Sequence, residues 1–248
     1  MKVTFIPTLA VLRELYEQPR SIDRFWSYID KMIGTNTAGK PDVVLPITAA
    51  NPMGRDNCLA AVNALLAIDA EGVAARAAES AAARLTECDQ QVNAYVTVID
   101  DVGGMWSQKE TSEFDSHYGT DAGLRANNTR HLVGVGCFTS ETYTAARIHV
   151  NMLAALQRYA VFRARGRPKT WRAMLAFDRA TALFSGDPGP TLDPDDLEYT
   201  RAVLAPLLDH DDYPTCFAAM LGDGAAIKQG YPPLGLSPRA GQALALQS

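Results

Sequence analysis

The chain has 248 residues, 47% of them hydrophobic and 21% charged, with a formal net charge of −5. That length can bury a full core, and that composition excludes wholesale disorder. The acidic balance, with no Lys/Arg block to offset it, argues against a broad nucleic-acid or anionic-membrane surface while remaining compatible with a local basic patch.

Cys58, Cys88, Cys137 and Cys216 are widely spaced with no CxxC pair, which excludes a zinc ribbon or thioredoxin-type site and suggests free thiols in a reducing compartment. The N-terminal apolar stretch is interrupted by Pro7 and followed by Arg13 and Glu14, unlike a signal peptide. No run approaches the roughly 20 apolar residues of a membrane span. A cytoplasmic protein is expected.

In chain order, Lys2 to Ile6 predicts a short strand. Pro7-Thr8 then opens a helix to about Gln18, with Leu9, Leu12, Leu15 and Tyr16 at helical spacing. Ser21 caps a second helix in which Ile22, Phe25, Trp26, Ile29, Met32 and Ile33 form a wide apolar stripe. Val43 to Thr48 is a strand candidate that Pro46 demotes to an edge or a strand end. After the Asn51-Pro52-Met53-Gly54 turn, helices are predicted from about Asp56 to Ile68 and, with Asp69 as cap, from about Ala70 to Cys88. The second of these is Ala-rich and suited to close packing.

Val92 to Ile99 is the strongest strand, and Leu132 to Phe138 the next, with Gly134 and Gly136 suggesting a close approach by a helix or a ligand. Thr139-Ser140 then caps a long helix ending near Gly166, and Pro168 to Phe184 gives another. Asp193 as cap, Pro194 at the first helical position and Asp196 in the first turn mark a further helix start. Short helices follow, broken by Pro206, Pro214, Gly222 and Gly230, and Ser237-Pro238 starts a closing helix.

Strands separated by helices imply βαβ units. The fold class expected is α/β: helix-rich, with a small, mainly parallel sheet of about four strands covered by helices. Residues 1–185 would form the core, and residues 186–248 a helical C-terminal appendage packed on it. A mostly helical protein with a small sheet is the alternative.

In a parallel sheet, ligands bind beyond the carboxyl ends of the strands. Those ends are Thr48 to Gly54, Asp100 to Gly104 and Thr139 to Glu141, which converge if the strands are neighbours. Past Asp100-Asp101 and Gly103-Gly104 the period becomes helical and puts Trp106, Glu110, Glu113 and His117 on one stripe. Carboxylates and an imidazole so placed suit a divalent cation (Zn, Mn or Fe) or a general acid and base. On the long helix, His149 is the single polar member of an apolar face with Ala145, Ala146, Met152, Leu153 and Leu156, and Glu141 lies two turns earlier. A metal site built from Glu110, Glu113, His117, Glu141 and His149 requires two helices packed face to face.

Plainer readings stand beside these: a solvated helix face, a satisfied core histidine, and turn chemistry for Asp100-Asp101. Asn51 to Arg55 offers helix-start amides and a guanidinium for a phosphate, against an ordinary turn. Cys58 has no clear His or Asp partner, and the residues around Ser140 do not form GxSxG. No HExxH, P-loop or dinucleotide fingerprint is present.

The function expected is a metal-assisted hydrolase or lyase acting on a small molecule, with Asp101, Glu113 and His117 as the catalytic set. The alternative is a non-catalytic module that binds a small ligand or a protein partner through its Trp/Tyr-rich N-terminal helices and C-terminal tail. Neither nucleic acid nor membrane is expected as a partner, and the sequence leaves a homo-oligomer open.

Overall fold

A computed structural model describes residues 1–35, 39–102, 106–119 and 130–247; Gly103-Gly104 lies outside them. The fold is α/β and 57% helical. The chain forms two compact units, Met1–Ser112 with Asp121–Ala160, and Glu113–Thr120 with Val161–Ser248.

The first unit is built on a three-stranded sheet in the order β1 (Lys2–Phe5), β4 (Gln91–Ile99), β5 (Leu132–Phe138), with both pairings parallel. β2 (Ile33–Thr35) and β3 (Pro41–Val43) form a separate antiparallel pair. Strand structure therefore stops at Val43 instead of running to Thr48, and Pro46 lies in the loop beyond.

In β4, Val92, Ala94, Val96 and Val98 share one face and are fully buried. On the opposite face Tyr95 stands directly across from Gly134 in β5. A Cβ at Gly134 would lie 2.3 Å from the Tyr95 ring, and one at Gly136 would lie 2.4 Å from Ile99 Cδ1. The two glycines thus make room for side chains of the neighbouring strand, in place of the helix or ligand their spacing suggested.

Helices α1 (Leu9–Glu17), α3 (Asp56–Ala67) and α4 (Ala70–Arg84) pack against this sheet. α4 approaches β4 and β1 through Ala74, Ala77, Ala78 and Ala81, all buried; side chains this small permit a close fit. Glu71 in α4 accepts the first amides of α1, Thr8 N at 2.5 Å and Leu9 N at 2.9 Å. The Thr8 hydroxyl donates to Val96 O in β4. One carboxylate and one hydroxyl so join the helix start to its neighbours.

Two helices differ in rotation from the sequence pattern. α2 (Ile22–Met32) buries Arg24 and Tyr28, while Ile22 and Trp26 are 63% and 56% exposed. α6 (Ala145–Arg165) starts after Ser140, with Thr144 Oγ1 accepting Arg147 N at 3.2 Å. Its buried face runs through Ile148, Met152, Leu156 and Tyr159; Ala145 and Ala146 are exposed and His149 is only half-buried. His149 therefore borders the packed face instead of standing in its middle. The Tyr159 hydroxyl meets His131 Nδ1 at 2.7 Å, just before β5.

The second unit packs residues from α5 (Lys109–Tyr118) with α7 (Trp171–Ser185), α8 (Pro194–Leu204), α9 (Tyr213–Leu221), α10 (Asp223–Lys228) and α11 (Ala240–Gln247). Phe114, Trp171, Leu204, Phe217 and Met220 anchor its core. α8 starts as its sequence indicates, with Asp193 Oδ1 accepting Asp196 N and Pro194 in the first turn. α7 packs on α11, and the second unit takes in the chain from Val161 onward. Among the described residues no single helix is long and apolar enough to cross a membrane.

Gly134→Ala is expected to lower the unfolding free energy by about 1–3 kcal/mol, the range for overpacking. Tyr95→Leu in the same chain should recover part of that loss; urea denaturation of both variants measures it.

Candidate functional site

The loop from Val44 to Arg55 has no strand or helix of its own, yet Ile47, Ala50, Pro52 and Gly54 within it are buried. A buried irregular segment must find partners for its carbonyls. Two residues one turn apart on α2 supply several of them. Tyr28 Oη donates to Ile47 O at 3.1 Å, and Arg24 donates from Nε to Pro52 O at 2.8 Å and from Nη2 to Gly54 O at 2.5 Å. Arg24 is only 4% exposed and lies over the Tyr16 ring, 5.5 Å from its centroid. Trp106, ahead of α5, closes the outer side by donating Nε1 to Ala49 O at 3.0 Å. Gly54 is needed where the loop enters α3, because a Cβ there would lie 2.5 Å from Cys58 Sγ.

This loop delivers Asn51 to the end of β4. Asp100, 8% exposed, accepts Asn51 Nδ2 at 2.8 Å and Asn57 Nδ2 of α3 at 2.9 Å. Its neighbour Asp101 is half-buried and accepts Ser140 N at 3.0 Å, Ser140 Oγ at 2.5 Å and Thr139 Oγ1 at 3.0 Å. The Thr139 hydroxyl has one proton, which the shorter distance assigns to Asp101, and it accepts Asn57 Nδ2 at 3.1 Å. Thr48 to Gly54, Asp100-Asp101 and Thr139 to Glu141 therefore converge at the carboxyl ends of β4 and β5. Ser140 serves this junction instead of capping α6.

Glu141 extends the polar rim. Its carboxylate pairs with Lys109 Nζ and with Arg147 Nη2, the latter at 2.7 Å, and accepts the Tyr143 hydroxyl at 3.0 Å. Burial alone would raise the Glu141 carboxyl; the two cations outweigh it and hold the group below the usual carboxylate range. Cys58 faces the opposite situation. Burial, reinforced by Asp100, pushes its thiol up to about 12, which keeps it protonated and unlike an activated nucleophile.

Glu113 belongs to the second unit, where Arg239 grips it with Nη1 at 2.6 Å and Nη2 at 2.7 Å. Arg239 also holds Gln242 Oε1 at 2.9 Å. His117, further along α5, meets the Tyr118 ring edge-on with centroids 6.0 Å apart. Glu110 and His117 are half-buried on that helix, and Glu141 and His149 belong to the first unit. Among the described residues, no group of three or more His, Cys, Asp or Glu side chains is placed to hold a metal ion.

Asn51, Asp100, Asp101, Thr139, Ser140 and Glu141 all belong to the loops that sequence reasoning placed at the strand ends. Arg24, Tyr28 and Asn57 were missed, and no motif or spacing marks them. Compared with family models, curated proteins and solved structures, the chain matches none.

Glu113→Ala and Arg239→Ala are each expected to cost about 1–2 kcal/mol, held down by the partial exposure of Arg239. The double variant should cost little more than either single one, which a denaturation double-mutant cycle measures.

Proposed function

We propose that the first unit binds a small polar molecule at the carboxyl ends of β4 and β5. The observation that carries this reading is the convergence of three separate loops on Asp100, Asp101, Thr139 and Ser140, the position where open parallel sheets take their ligands. Asp101 is half-buried and the Ser140 hydroxyl is exposed, so both can exchange hydrogen bonds with a ligand. Asp100 is buried and holds the two asparagine amides in place. Trp106 is 46% exposed although its N–H is tied to Ala49, so it presents a fixed apolar ring face; Met53 and Val102 are exposed as well. Carboxylate and hydroxyl groups beside a flat apolar face suit a hydroxyl-bearing compound with an apolar side.

Metal-assisted hydrolysis or elimination at Glu113 and His117 has less support, because Glu113 is committed to Arg239. A second reading, a protein partner on α2, rests on the exposed pair Ile22 and Trp26. We place the protein in the cytoplasm, a reading supported by Cys58, Cys88, Cys137 and Cys216 all being free thiols.

The test is a thermal-shift and calorimetry panel of polyols, sugars, nucleosides and hydroxy acids. A true ligand at 100 times its Kd stabilises by about 2.7 kcal/mol. Asp101→Asn and Trp106→Ala are expected to weaken that ligand at least about tenfold, the loss of one charge-assisted hydrogen bond or one ring face. Failure of the whole panel, or equal affinity in both variants, would overturn the reading.

A further inference from the structure

Between Glu141 and Asp178 the chain has no Asp or Glu, while Arg163, Arg165, Arg167, Lys169 and Arg172 fall within ten residues. They surround the corner between α6 and α7, inside the second unit. The corner is closed by hydrogen bonds and packed from beneath. Gly166 adopts φ +76 and its amide bonds Phe162 O at 3.0 Å, closing α6. Phe162 stacks on Phe177 at 5.1 Å and 12°, Pro168 is buried, and Trp171, 1% exposed, donates its amide to His210 O.

Arg163, Arg165 and Lys169 stand exposed on this support, and among the described residues none of the three is in an ion pair. Arg172 is paired with Asp209 at 3.1 Å. Cations in the last turn of α6 complement its dipole, which accounts for Arg163 and Arg165 alone. Lys169 lies at the opposite kind of helix end, just ahead of α7, where positive charge is unfavourable and the first turn holds no acid; Arg172 in that turn is offset by Asp209 from outside the helix. Local helix stability therefore does not explain the run as a whole.

We infer that this corner binds the phosphate backbone of nucleic acid without reading its sequence. Arginine predominates, and its planar fork matches phosphate oxygens. The exposed large hydrophobic residues include none from 162 to 172, so the corner lacks the apolar anchor of a membrane-docking segment and the aromatic platform of a base-stacking one. Contacts with the acidic segments of a second copy would be exposed ion pairs of small net worth. Counterion release from a polyphosphate needs only the cations themselves. The net acidity of the chain confines the contact to this corner.

The experiment is fluorescence anisotropy of the full chain with a labelled 20-base-pair DNA duplex of arbitrary sequence, at 50 to 200 mM salt. Three phosphate contacts give a slope of log K against log salt of about −2.7, a loss of about 40-fold across that range. Arg163→Gln/Arg165→Gln/Lys169→Gln should abolish binding while the circular dichroism melt stays cooperative and falls by only a few degrees, since all three side chains are exposed and the fold loses only the helix-end charges of Arg163 and Arg165. Absence of duplex binding, or equal binding by the triple variant, would overturn the inference. So would co-sedimentation with phosphatidylserine vesicles in the absence of duplex binding.

Discussion

The arrangement of the first unit depends on one constraint, the need to satisfy the backbone of a loop that is buried without being regular. Ile47, Ala50, Pro52 and Gly54 are inside the unit, and among the described residues no strand takes their carbonyls. α2 turns Arg24 and Tyr28 inward to supply the donors, and as a result leaves Ile22 and Trp26 in solvent. Burying a guanidinium is costly, and here backbone oxygens and the Tyr16 ring offset the cost. Burial lowers the proton affinity of Arg24, in keeping with a cation that meets only neutral partners directly.

The site follows from that arrangement. With the loop fixed from the α2 side, Asn51 is held at Asp100 from the other, and Asn57 at the start of α3 reaches both Asp100 and Thr139. Four chain segments then meet around two strand ends through these hydrogen bonds. Asp101 and Ser140 form the open side of this network. The division of labour between the adjacent aspartates comes from their burial: the inner one organises, and the outer one faces solvent.

Much of the scaffold was legible in the sequence. The valine-rich run of β4, the glycine-containing run of β5 and the Asp193-Pro194 helix start all carry local signals that tertiary packing does not override. The meeting of the loops after β4 and β5 followed from their parallel pairing, whereas the 44–55 loop follows β3, which pairs only with β2, and reaches the same place by another route. What stayed hidden were choices that no local pattern encodes. α2 has an apolar stripe, and periodicity favours burying it; the demand of the 47–54 carbonyls decided otherwise. His149 stands at the border of its face because α6 turns Ile148, Met152, Leu156 and Tyr159 inward and leaves Ala145 and Ala146 in solvent. Glu113 and His117 read as a ligand pair by spacing, but spacing along one helix cannot reveal Arg239, which is 126 positions away. The glycines of β5 gave a true signal of close approach whose source, Tyr95 and Ile99, lies on another strand.

The most direct measurement is amide hydrogen exchange of Arg24→Met beside the parent chain. If Arg24 holds the loop, protection at Ala50 and Gly54, whose amides bond Ile47 O and Asn51 O, should fall by about tenfold or more, the equivalent of one charge-assisted hydrogen bond of roughly 1.5 kcal/mol. Amides of β4 such as Val96 and Val98 should keep theirs. Unchanged protection in the loop, or an equal loss throughout the sheet, would contradict the central role assigned to Arg24.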